Sequence, residues 1–148
     1  MSTVNVSTVI VFVADFFSED LVGGAELTTE ALIESSPFKI KKIRSNSLTE
    51  SHIRENVDCY WIFGNWSGID PNLILSISNN LNYSILEYDY KICKYRSPEK
   101  HFITEGKSCD CHSTQLGKFI SLFYGNAKSL FWMSEKQMHR YHSSLPHL

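Results

Sequence analysis

Thr8-Val9-Ile10-Val11-Phe12-Val13 decides the architecture. The run is short and unbroken, built of β-branched and aromatic residues, with no polar alternation. A strand with one wet face alternates; a strand covered on both faces does not, and that is the pattern of a parallel sheet between helix layers. A loop over residues 15–24 follows and ends in Gly23-Gly24. Residues 25–33 then read as a helix, with Ala25, Leu27, Ala31 and Leu32 forming a broad apolar side.

The same alternation of strand and helix continues outward. Residues 38–43 read as a second strand, more alternating and so less deeply covered. Ser47 with Glu50 fits a capping box that opens a short helix. Residues 57–63 read as a third strand closed by Gly64-Asn65. Asp70-Pro71 starts a helix whose Ile74, Ile77 and Leu81 share one face. Residues 83–88 read as a fourth strand, followed by a long polar connection over residues 89–114. Connections of that length are uncommon in compact domains and are often functional. Leu116, Phe119, Ile120 and Phe123 mark another helix stopped by Gly125-Asn126, and residues 129–133 read as a fifth strand. Ser134 with Gln137 caps a last helix, stapled by Met133 and Met138, reaching about residue 142 before Pro146. Repeated strand–helix units of this kind imply an α/β, Rossmann-like three-layer domain: a parallel sheet of about five or more strands flanked by helices. One domain spans residues 1–148.

Bulk composition sets limits on function. The chain carries a formal net charge of -2, so no global basic field attracts nucleic acid, and no nucleic-acid partner is expected. No apolar run reaches the length of a membrane span. Residues 1–7 are polar and uncharged, without the basic start and small-residue cleavage site of a secretory leader, so a cytoplasmic location is expected. The four cysteines, Cys59, Cys93, Cys109 and Cys111, are then expected as reduced thiols or metal ligands, not disulfides.

In an open parallel sheet, ligands bind beyond the carboxyl ends of the strands. Gly23-Gly24-Ala25-Glu26 lies there. Two glycines let the backbone approach a ligand closely, and the helix start behind them offers N–H groups and partial positive charge to a phosphate. The segment is neither G-x-G-x-x-G nor a P-loop, and a plain connecting turn is the other reading.

Asp15-Phe16-Phe17-Ser18-Glu19-Asp20-Leu21-Val22-Gly23-Gly24-Ala25-Glu26 resembles the first-loop signature of family 4 glycosyltransferases of the GT-B fold. Phe131-Trp132-Met133-Ser134-Glu135-Lys136-Gln137 resembles the strand ending in Ser-Glu that closes their N-terminal domain. Glu87-Tyr88-Asp89-Tyr90-Lys91 is similar to phage-type and environmental members. The resemblance implies the acceptor-side half of a retaining transferase that uses a nucleotide-sugar donor, with no cofactor beyond that donor and an unknown acceptor. Gly23 and Gly24 would face the donor diphosphate. Glu26, Trp66, Glu87, Asp89, Tyr90 and Lys91 are the acceptor or cleft candidates; no catalytic residue is assigned. The family's donor-binding half, with its E-x7-E element, is absent from the chain. The resemblance therefore implies inactivity alone and completion by a C-terminal domain or partner subunit. Many relatives carry a histidine near the end of the fourth strand; here the neighbourhood reads Glu87-Tyr88-Asp89-Tyr90. The alternative is a stand-alone, non-enzymatic Rossmann-like ligand-binding or interaction module.

Two further groupings lie in the long connection. Lys91, Lys94, Arg96 and Lys100, interleaved with Tyr88, Tyr90 and Tyr95, read as a solvated loop face or as a sugar- or base-stacking surface. Cys93, His101, Cys109, Cys111 and His112 read as ordinary thiols and surface histidines, with no metal. The alternative is a structural zinc held by Cys93, His101, Cys109 and Cys111, although C-x-C is not the usual ligand spacing. Cys59 and Trp61 read as core residues in the third strand.

Overall fold

In the computed structural model, which describes residues 8–148, five strands run parallel: β1 (Val9–Ala14), β2 (Lys39–Arg44), β3 (Tyr60–Phe63), β4 (Asn82–Glu87) and β5 (Ser129–Trp132). Residues 1–7, on which the reading about a secretory leader rests, lie outside the described residues. The spatial order is β2-β1-β3-β4-β5, one parallel sheet. Six helices accompany it among the described residues: α1 (Gly24–Ser35), α2 (Glu50–Glu55), α3 (Ile74–Asn80), α4 (Pro98–Glu105), α5 (Gln115–Gly125) and α6 (Glu135–Ser144). This is the expected α/β Rossmann-like architecture, with helices on both faces of the sheet. No helix of the described residues is long and apolar enough to cross a membrane.

Because strand side chains alternate, the sheet has two distinct apolar faces. Val11, Val13, Trp61, Phe63, Tyr83 and Ile85 point to one. There they meet Ile53 of α2, Ile74 and Ile77 of α3, and Ile120 and Phe123 of α5. Phe63 stands edge-on to Phe123 at 5.2 Å and to Tyr83 at 5.6 Å between ring centres, the favoured aromatic arrangement. Phe12, Ala14 and Phe17 point to the other face, with Ile62, Leu86 and Ile33 of α1. That second face is thinly covered. An apolar groove of about 350 Å³ runs beside α1 between Phe12, Leu32, Phe38, Ile62, Leu86 and Phe131.

Several local expectations need correction. Leu27 is about half exposed and lies outside the groove, while Leu32, also about half exposed, only edges the apolar groove beside the sheet. The inward stripe of α1 is Ala25-Thr29-Ile33, and Thr29 is tolerated because its hydroxyl bonds the Tyr88 hydroxyl at 2.8 Å. The capping box of α2 is not Ser47 with Glu50. Ser47 belongs to a preceding 3-10 turn, and Thr49 and His52 bond reciprocally across the helix start. Strand β3 begins only at Tyr60, so Cys59 lies in the bend ahead of it, packed beside the core; Trp61 is in the core as expected.

The largest departure is residues 89–114. They are not a bare polar loop. Ser97 caps α4 with Pro98 in its first turn, and Gly106, at φ +71°, closes it in a left-handed C-cap. A 3-10 turn, Cys111–Ser113, leads into α5. Lys91, Ile92, Cys93, His101 and Cys111 of this segment are all buried. Lys91 is thus not part of a solvated face, and His101 is not a surface histidine.

Candidate functional site at the carboxyl margin of the sheet

With all strands parallel, every strand-to-helix connection lies on one margin, and the glycine turn and the end of β4 share it. Gly23 is the N-cap of α1 in an extended conformation, and no side chain closes the helix start with a hydrogen bond. A methyl group added at Gly24 would meet nothing within 4 Å. At Gly23 a Cβ would lie 2.5 Å from Glu26 Oε2, so the Glu26 carboxylate folds back over the turn. It already complements part of the positive charge at this helix start.

The strand order reverses between β1 and β3, the place where a crevice opens in such sheets. Asp15, just past β1, accepts hydrogen bonds there from the Ser45 hydroxyl and from the Gly68 N–H at 3.1 Å. Asp15, Phe16, Ser45, Asn46, Ser67 and Gly68 line a cavity of about 300 Å³. Gly68 is required by crowding: a Cβ would lie 2.6 Å from Ser45 Oγ and 2.9 Å from the Asn46 nitrogen. Asn65, after β3, holds a buried side-chain oxygen without a partner. Asp15 and Phe16 open the signature read from the sequence, but Ser45, Asn46 and Gly68 escaped it as site residues. The signal was available, since Asp15 and Gly68 each follow a strand directly or within one short loop.

At the end of β4 the candidates lie inside the molecule. Glu87 is buried and takes four donors: the hydroxyls of Tyr124 and Tyr141, the Lys91 ammonium at 2.6 Å and the Asp89 N–H at 3.1 Å. Its lone pairs are committed, which leaves none for an acceptor hydroxyl. Lys91 is equally buried and also meets Asp89 at 2.7 Å. Trp66 is no cleft wall; it packs edge-on to Phe123 and donates its indole N–H to Tyr124 at 3.0 Å. Burial, then the neighbouring Glu87 charge, push the Tyr124 and Tyr141 hydroxyls well above the usual tyrosine range.

Above this cluster a cavity of about 280 Å³ opens between Asp89, Tyr90, Arg96, Ser134, Lys136 and Arg140. Arg96 adopts a left-handed backbone at φ 61° and reaches Ser67 at 3.2 Å, joining the β3 and β4 loops. Arg140 pairs with Glu99 of α4. Ser134 caps α6 by accepting from the Gln137 N–H at 3.2 Å, so the start of that helix also faces this region. Arg96, Lys136, Arg140 and one helix start favour an anion in this opening, although Asp89 beside Arg96 and Glu99 beside Arg140 offset part of that charge.

Beneath the same segment, one ligand atom each from Cys93, His101, Cys109 and Cys111 lie within 4.8 Å of one another. His112 is exposed and stands apart from them. Burial raises the Cys109 thiol to about 12.

Gly23, Gly24, Glu26 and Asp89 thus sit on the accessible margin, while Trp66, Glu87, Tyr90 and Lys91 are buried, Tyr90 with one edge on the basic cavity. No family model, curated protein or solved structure matches the chain.

Proposed function

We propose that the chain is the acceptor-side half of a cytoplasmic, nucleotide-sugar-dependent glycosyltransferase, completed by a donor-binding C-terminal domain or partner subunit. One observation carries the reading: the glycine turn at the start of α1 is uncapped by any side chain, open above Gly24, and set on the ligand-binding margin of a parallel sheet. The resemblance of residues 15–26 and 131–137 to family 4 transferases supports it. In the complete enzyme, rate enhancement comes from holding donor and acceptor together and from stabilising the departing diphosphate near Gly23 and Gly24. Glu87 serves as an internal strut of that margin.

The test is a thermal-shift series with nucleoside-diphosphate sugars. It is run on the chain alone and on the chain joined to the polypeptide encoded beside it, with sugar transfer as the second readout. A raised melting temperature with one donor class, and transfer only in the joined form, is the expected result. No shift and no transfer in either form would sink the proposal. The stand-alone binding module is the second reading. It is favoured by the basic cavity at Arg96, Lys136 and Arg140, which this chain forms by itself; anion binding unchanged by any added unit would select it.

A further inference from the structure

The geometry points to a structural zinc site held by Cys93, His101, Cys109 and Cys111. The four residues come from the start, middle and end of the segment between β4 and α5, in the spacing C-x7-H-x7-C-x-C. Their ligand atoms converge within 4.8 Å. A tetrahedral zinc with the usual Zn–S and Zn–N bond lengths sets its ligand atoms about 3.5–3.8 Å apart. His101 Nδ1 lies 3.6 Å from Cys93 Sγ and 3.5 Å from Cys111 Sγ. These two distances already match a bound ion, and the remaining ligand atoms lie within 4.8 Å, close enough to gather around one.

The surroundings fit the same ion. Cys93, His101 and Cys111 are buried and Cys109 is half-buried, so the set is largely shielded from solvent and offers four protein ligands, the composition of a structural site. Soft thiolates with imidazole select zinc over magnesium or calcium, and no carboxylate belongs to the inner set. On its far side the His101 ring turns Nε2 toward Glu105 Oε2 at 2.9 Å, a contact that misses hydrogen-bond alignment. A carboxylate behind a ligating histidine is the common outer-shell partner, and it orients the ring. Lys94 holds Glu105 in turn at 2.8 Å. Gly117 of α5 packs so closely on this turn that a Cβ would lie 2.6 Å from the Cys111 carbonyl oxygen. The backbone carrying Cys111 is thereby seated against the domain.

Such an ion would cross-link a segment that spans residues 89–114 and carries few apolar side chains of its own. It would fix Cys93 between Lys91, which is bound to Glu87, and Arg96, which walls the basic cavity. Its role is thus to hold the cavity wall and α4 in place; with all four positions taken by protein, it is not a catalytic centre.

The test uses the full chain purified under reducing conditions from zinc-supplemented culture, without chelator. Elemental analysis is expected to find one zinc per chain. Removal by chelation is expected to lower the melting temperature, and cobalt(II) added to the reduced apo-protein to give the absorption of a tetrahedral thiolate site. Cys109→Ser and His101→Ala are expected to lose zinc to a competing chelator, whereas Cys59→Ser and His112→Ala retain it. Glu105→Gln is expected to weaken zinc about 10–100-fold. If either ligand variant is insoluble, the wild-type zinc and cobalt measurements decide alone. A wild-type chain that carries no stoichiometric zinc and takes up no cobalt overturns the site. So does a disulfide between any two of the three cysteines in freshly purified protein, or wild-type zinc retention by both ligand variants.

Discussion

Tyr141 of α6 donates its hydroxyl to the Glu87 carboxylate at 2.5 Å, and both side chains are buried, although 54 residues separate them. Glu87 closes β4, so this bond ties the last helix to the carboxyl margin of the sheet. Around it, Trp66, Tyr124 and Lys91 add donors from the β3 loop, α5 and the β4 loop. A buried carboxylate is stable only when its lone pairs are filled, and here they are.

Glu87→Gln is therefore expected to be the most damaging small substitution in the chain. Its amide group would face Tyr124, Tyr141 and Lys91 with two hydrogens where only acceptors fit. The expected loss is about 3–5 kcal/mol, the usual cost of breaking a buried pair from one side. Tyr141→Phe removes one donor to Glu87, leaves the Lys91 N–H without its acceptor and keeps the ring stacking, for about 1–3 kcal/mol. Urea unfolding of both variants checks the order; equal stability of Glu87→Gln and wild type would refute it.

Alkaline pH is expected to destabilise the fold. Burial raises the Tyr83 hydroxyl from 10.0 to about 12, and raises Tyr88, Tyr90, Tyr124 and Tyr141 in the same direction. In the unfolded chain these groups ionise near 10, while the native state keeps its protons. The stabilisation they provide is complete below pH 10 and is lost as pH climbs from there toward the folded values. Tyrosinate absorbance is expected to appear together with unfolding, not before it, for the buried set.

Gly117 and Gly24 are expected to respond oppositely to alanine. At Gly117 a Cβ overlaps the backbone of Cys111 and His112, which outweighs the better helix propensity; the expected net loss is about 1–3 kcal/mol. At Gly24 there is open space in the first turn of α1, so alanine is expected to stabilise by about 0.4–1 kcal/mol. If Gly24 also faces a donor diphosphate, Gly24→Ala gains stability yet weakens nucleotide-sugar binding, a split that calorimetry and thermal melts read separately.

Anion binding at the margin is expected to depend on two opposing charges. Glu26→Gln removes the carboxylate that folds over Gly23 and is expected to tighten phosphate or diphosphate binding. Lys136→Ala withdraws one cation from the basic cavity and is expected to weaken binding and flatten its salt dependence. Isothermal titration with inorganic diphosphate at two ionic strengths distinguishes the two sites; no response to either change would remove both from consideration.

Local rules reached far along this chain and then stopped at identifiable residues. The unbroken run at β1 foretold a sheet covered on both faces, and Ile74, Ile77 and Leu81 turned inward as their spacing required. Helix α4 was missed although Ser97-Pro98 is a cap followed by a first-turn proline, because the charged residues around it masked the signal. The burial of Glu87 and Lys91 was not legible, since a charge enters an interior only when partners from distant segments meet it. Cys93, His101, Cys109 and Cys111 were legible as an alternative zinc set, but their unusual spacing favoured ordinary thiols, and only the fold shows that they converge.

From the amino-acid order alone come the strand and helix periodicity, the parallel α/β class and the glycine turn past the first strand, all set by neighbours a few residues away. Only the tertiary structure decided which polar side chains are buried and which remain on the margin. Burial of a charge or convergence of thiols depends on contacts such as Glu87 with Tyr141, made between segments that lie far apart along the chain.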